Sequence, residues 1–181
     1  GVLQMEKESL DDAAASLEHA IRIRQVGGSG ELSDHHFVKT LEKLASLHKA
    51  KGNIQGALEA SRTILHIQKA SAFSKRSKDV GITLRFIAEL HQAENDLPSA
   101  VTVALDSVNR LRGACLDSSL VCRFANVEQL ASSLLLLSSL YHEMCEPLKA
   151  QFVINEASVI VGQAKLAAER SRRSGAPSSL V

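Results

Sequence analysis

The residues able to hold a metal or act as nucleophiles are seven histidines and three cysteines. A zinc site needs ligands that converge, yet His48 and His91 have no carboxylate or thiolate at a shared offset. His35 and His36 are neighbours at a helix start and cannot easily face one ion. Cys115, Cys122 and Cys145 form no C-x-x-C pair, so they read as small apolar fillers in a reducing compartment. Gly27-Gly28-Ser29-Gly30 lacks the Lys-Ser/Thr and the preceding strand of a phosphate loop, and reads as a flexible connection. No Ser/His/Asp set sits in a strand–turn–helix context, and nothing activates a nucleophile. The expectation is a chain that is not an enzyme, with no cofactor and no metal.

Charge narrows the partners. Lys+Arg number 21 and Asp+Glu 20, a net charge of +1, which is not the footprint of a dedicated nucleic-acid binder. Lys75-Arg76-Ser77-Lys78 is expected in a loop, and Arg170, Arg172 and Arg173 in a C-terminal tail. The most apolar run, Leu134 to Leu137, is far too short to span a bilayer, so no membrane is expected. No signal-like segment opens the chain, so an intracellular location is expected, cytoplasmic or nuclear.

The elements that position these residues are helices. Aromatics are 3%, Trp is absent and Pro numbers three, whereas Ala, Leu, Ser, Glu and Lys abound. Residues 40–48 and 83–91 align without a gap, and the spacing repeats around Ala13, Ala57, Ala100 and Ala150. Ten positions before each alanine stands Leu3, Leu47, Leu90 or Leu140. Three positions before stand Leu10, Ile54, Leu97 and Pro147. Leu44, Ile87 and Leu137 precede by thirteen, and Leu41, Leu84 and Leu134 by sixteen. Such three-and-four spacing on both sides of a polar turn describes two amphipathic helices packed as a hairpin.

This pattern resembles the tetratricopeptide repeat (TPR), through Leu47-His48-Lys49-Ala50-Lys51-Gly52-Asn53-Ile54-Gln55-Gly56-Ala57-Leu58 above all. The resemblance implies an all-α, right-handed α-solenoid of antiparallel helix hairpins, with about three full repeats and a truncated first one. The family's aromatic positions hold His48, His91 and Ile54 instead, and the period is 43 to 50 residues rather than 34. Longer periods of this sort occur in kinesin light chains and large cell-cycle regulators. Repeats are expected near 1–27, 34–70, 79–113 and 118–169 within a domain spanning 1–169, followed by a basic flexible tail or linker at 170–181. Ser33 or Asp34 and Asp79 are candidate N-caps. The last period, 50 against 43, is expected to lengthen a first helix by two turns. Only two residues precede Leu3, so the chain is expected to be a piece of a longer protein.

In that family the inner face of the superhelix comes mostly from the first helices of the hairpins. The resemblance therefore implies a partner-binding groove of Lys39, Glu42, Ser46 and Lys49, then Ile82, Arg85, Glu89 and Gln92, then Ser132, Leu135, Ser139 and His142. Glu42 and Ser46 stand where a carboxylate clamp would need Lys and Asn, so chaperone-tail binding is not implied. The function expected is a non-catalytic scaffold that holds a peptide or helix of another protein in this groove. A second reading is a structural or regulatory segment of a larger cell-cycle protein such as separase, packed against its own chain. A third is weak nucleic-acid contact through the basic tail.

The alanine register is directly testable by thermal melts. Ala100→Leu should cost about 1–3 kcal/mol through overpacking between helices. Thr102→Leu, two positions along the same helix, should change little.

Overall fold

A computed structural model of the chain describes residues 15, 16, 19, 31–70, 77–116 and 120–174. The rest of the first expected repeat, the Gly-rich break at 27–30, Lys75 and Arg76, and the end of the tail lie outside them. Among the described residues from 31 onward there are six helices: α1 (Glu31–Ala50), α2 (Ile54–Ala70), α3 (Ser77–Ala93), α4 (Leu97–Leu116), α5 (Leu120–Glu143) and α6 (Pro147–Ser174). No strand occurs among the described residues. The helices pair as hairpins α1/α2, α3/α4 and α5/α6, and each second helix packs on the next first helix. First helices α3 and α5 also touch one another. This is the expected all-α hairpin repeat.

One turn geometry recurs three times. Each first helix ends in a left-handed residue: Gly52 (φ 75°), Asn95 (φ 61°) and Cys145 (φ 59°). The amides of these residues reach back to the carbonyls of Lys49, Gln92 and His142 at 2.9–3.0 Å. The next amides, of Asn53, Asp96 and Glu146, bond the carbonyls of His48, His91 and Tyr141 at 2.8–2.9 Å. That is a Schellman motif, which satisfies carbonyls a helix end would otherwise leave orphaned. The same residues then start the second helices, because Asn53, Asp96 and Glu146 accept from the amides of Ala57, Ala100 and Ala150 at 3.0–3.1 Å. Asn53 Oδ1 also accepts from the Gly56 amide at 3.0 Å, and Asp96 Oδ1 from the Ser99 amide at 3.3 Å. One residue therefore closes one helix and caps the next. Hydrogen bonds from Ser99 hold the Asp96 carboxyl below its ordinary value.

The repeat alanines face the neighbouring helix of their own hairpin. Ala57 and Ala100 are fully buried and Ala150 nearly so, while Gln55 and Thr102 are exposed. Around them lie Leu41, Leu44, Leu84, Ile87, Leu90, Leu134, Leu137 and Leu140, all buried, as the spacing requires. One core cluster joins α3 to α6 through Val108, Leu111, Leu130 and Val153. A smaller one joins α2 to α3 through Leu58 and Leu90. Between α3 and α4 the backbones come close at Gly81, where an added Cβ would stand 2.7 Å from Leu111 Cγ. Ser107 Oγ donates to the Gly81 carbonyl at 2.7 Å there, and lies 3.0 Å from Ser133 Oγ.

Several boundaries differ from those expected. Helix α1 starts at Glu31, so Ser33 and Asp34 lie inside it rather than capping it. Helix α3 starts at Ser77, which places Ser77 and Lys78 in a helix and not in a loop, with Asp79 in the first turn opposite the helix dipole. Helix α4 continues past 113 to Leu116, since Leu111 and Ala114 on either side of Gly113 are both buried. Helix α6 runs to Ser174, so the expected tail begins inside it; no Gly or Pro interrupts residues 163–174. The expected lengthening does fall on a first helix: α5 has 24 residues and α3 has 17, a difference of seven. Asn126, in the added turns, is buried and donates to the Ala114 carbonyl at 3.0 Å, which satisfies the end of α4.

The three turns provide an internal test of backbone strain. A non-glycine residue in the left-handed region costs roughly 1–2 kcal/mol. Nothing lies within 4 Å of a Cβ built on Gly52, so Gly52→Ala isolates that cost without a clash. Gly52→Ala should lower the melting temperature and Cys145→Gly should raise it. Equal melts for all three proteins would mean that the turns relax.

Candidate binding surfaces

The first helices lie side by side, and polar side chains tie them across their exposed row. Lys49 Nζ on α1 sits 2.6 Å from Glu89 Oε2 on α3, and 5.0 Å from the centre of the Phe86 ring. Arg85 shares Glu89, with Nη1 3.8 Å from Oε1, and its Nη2 donates to Gln129 Oε1 on α5 at 3.2 Å. Gln92 Nε2 donates to Ser139 Oγ at 3.3 Å and also to Glu143, both on α5. Five of the residues read from the sequence thus pair along one row in two groups, Lys49 and Arg85 on Glu89, and Gln92 on Ser139. Gln129, Glu143 and Phe86 complete it and were not singled out beforehand. Their signal was register: each lies a few residues from a named one on the same helix.

The other expected residues flank that row. Lys39, Glu42 and Ser46 on α1 line a shallow open depression of about 590 Å³, together with Lys43 and Leu47. The hydroxyls of Ser46 and Ser132 are satisfied within their own helices, by the carbonyls of Glu42 and Glu128 at 2.9 Å. Leu135 is 56% exposed, His142 is exposed, and Ile82 is half-buried against the larger core. Partial burial pushes the Glu42 carboxyl above its ordinary value; the negative Asp79 on α3 adds to the shift, and His35 and Lys39 oppose it. His48 and His91 have structural settings. His48 is buried with Nδ1 3.3 Å from Asn53 Nδ2, and His91 Nδ1 is 3.7 Å from Asp96 Oδ2. Each lies under the turn that its carbonyl helps to close.

A second surface lies between α4 and α6. A cleft of about 360 Å³ there has Val108, Leu134, Leu137 and Tyr141 in its floor, and Leu105, Leu148 and Phe152 at its edges. Arg112 of α4 pairs with Glu156 of α6 across it. Lys149 pairs with Glu146 and lies 5.5 Å from the centre of the Tyr141 ring. Comparison of repeat copies could have found this cleft, since Arg62, Pro98 and Thr102 occupy the positions of Leu105, Leu148 and Phe152.

Among the described residues no group of three or more His, Cys, Asp or Glu could hold a metal ion. No described helix is long and apolar enough to cross a membrane. The hairpins, their turns and their stacking make an all-α helical-repeat fold of TPR-like form. No protein-family model and no curated protein matches the sequence. Its structural neighbours include BtubC (BKLC) of P. vanneervenii, at 12% identity and TM-score 0.48, covering 99% of this chain and 80% of that one. A set of nearly identical TPR-like repeats of a kinesin light chain from Podosopora anserina shows 18% identity and TM-score 0.46, covering 91% and 93%. A variant of that repeat protein gives 16% and 0.47, covering 95% and 93%. Likeness at this level adds nothing to what the turns and hairpins show directly.

The Glu42 shift has a definite sign. A carboxyl with a raised folded pKa contributes stability below its unfolded value near 4.5, and loses it as pH rises through the folded value. Glu42→Gln should therefore melt higher than the parent at pH 7, and the two should converge in acid below about pH 4.5. A gap that widens in acid would reverse the assignment.

Proposed function

We propose that the chain is a non-catalytic protein-interaction scaffold, which holds an extended peptide or helix of a partner along the first-helix row. The observation that supports this reading is the row of tied side chains, Lys49 and Arg85 on Glu89 and Gln92 on Ser139, with exposed Leu135 beside it. Helical side chains so tied lose little further rotamer entropy on binding, so a partner meets a preorganised surface. The charges alternate and are already paired, so recognition would exchange internal hydrogen bonds for intermolecular ones. Leu135 supplies an apolar contact of the kind that anchors an interface centre. A peptide laid along α1, α3 and α5 would meet charged groups first and apolar ones last.

A displayed peptide library, selected on the chain, tests the reading. Selected peptides should lose about tenfold or more in affinity with Leu135→Asp, and a similar amount with Arg85→Glu. Thr102→Glu, on a second helix, should leave affinity unchanged. Peptides that bind all three variants equally would place recognition elsewhere and overturn the groove.

A further inference from the structure

Helix α6 carries two apolar sides. One is the core side, with Ala150, Val153 and Ala157 buried. The other is an exposed stripe: Leu148 (87% exposed), Phe152 (72%), Val159 (57%) and Leu166 (57%). The repeat provides its own control. The first three of these positions hold Gln55, Glu59 and His66 in α2, and Pro98, Thr102 and Asn109 in α4. Only the last hairpin has made this outward row apolar. The side that receives the following hairpin changes the opposite way: Leu58 and Leu65 of α2, and Val101 and Val108 of α4, are replaced in α6 by Gln151 and Ser158.

The stripe is a heptad seam. Leu148, Phe152, Asn155, Val159, Gly162 and Leu166 follow one another at spacings of four, three, four, three and four. Laid antiparallel on a copy of itself about residue 157, the seam pairs Leu148 with Leu166, Phe152 with Gly162 and Asn155 with Val159. The largest side chain meets the smallest, and nothing lies within 4 Å of a Cβ built on Gly162, so that place is open. The flanks are compatible. Lys149 falls near Gln163 of the second copy, and Lys165 near Gln151. Glu156 meets its own counterpart, but each is neutralised by its own Arg112.

We propose that α6 is a homodimerisation surface, two copies of this chain packing antiparallel through the Leu148–Leu166 seam. At roughly 200 Å² for a large side chain, the four apolar residues expose on the order of 500 Å², which matches the largest patch a typical monomer carries, a patch that is often functional. With the flanking polar residues, this approaches the roughly 800 Å² per partner of a standard interface. A two-fold contact uses the same surface twice, and the seam's symmetry about residue 157 supplies that self-complementarity. The seam shares no residue with the first-helix row, so dimerisation would leave that row free.

Sedimentation velocity on the chain in reducing buffer tests this, the reductant excluding disulfide-linked dimers through exposed Cys145. The parent should self-associate with a dissociation constant on the order of 10 µM. Phe152→Glu should weaken association about tenfold or more with unchanged helical circular dichroism, and Thr102→Glu should not. Gly162→Phe alone should weaken it, and Phe152→Ala combined with Gly162→Phe should restore it by exchanging large and small across the seam. A parent that stays monomeric at millimolar concentration overturns the proposal, as does a dimer that Phe152→Glu leaves intact. A dimer that the double exchange fails to restore overturns it too.

Discussion

The architecture depends on a single atom-sharing constraint at each hairpin. Asn53, Asp96 and Glu146 give their amides to the closing helix and their carbonyls to the opening one. With only three residues between helices, no slack remains to adjust the angle or register of the two. The antiparallel helices must then touch at the first turn of the second, where the buried alanines stand. Any larger side chain at Ala57 or Ala100 would push the pair apart at the point where the chain cannot yield. Burial of Leu90 and Leu140 under the turns follows from the same geometry, and stacking follows from that burial.

Much of this was legible because the repeat multiplied weak signals. One alanine between leucines means little; four, at matched offsets, fix the contact side of both helices. The seven added residues could be assigned to a first helix, since they equal roughly two turns and extend the same side. Helix ends were read less well. Asp79, Ser33 and Asp34 have the chemistry of caps, but helix continues before them, where local preferences are weak and tertiary packing decides. Gly113 looked like an end, and burial on both sides of it carried α4 further.

Binding surfaces were only half legible, for a different reason. Surface positions obey no packing rule, so periodicity names the residues of a face without saying how they pair. The sequence placed Lys49, Arg85 and Glu89 in one row; it could not show that Glu89 serves both cations. The apolar edge of the α4–α6 cleft is absent from the repeat pattern, because that pattern holds only what the copies share. Leu148 and Phe152 stand out only as departures from Gln55, Glu59, Pro98 and Thr102. In a repeat protein, shared positions describe the architecture, and unshared ones hold the individuality.

The lengthening of α5 implies a rule for how such an array tolerates insertion. The added residues stand at the start of that helix, whereas Leu134, Leu137 and Leu140 keep their places relative to the α5/α6 turn, as Leu41 and Leu44 do in α1 and Leu84 and Ile87 in α3 although those helices have 20 and 17 residues. Growth at the start of a first helix therefore leaves the buried row in register, and seven residues deepen one wall of the array by about 10 Å. Wall height and stacking angle become separate variables, open to change one at a time.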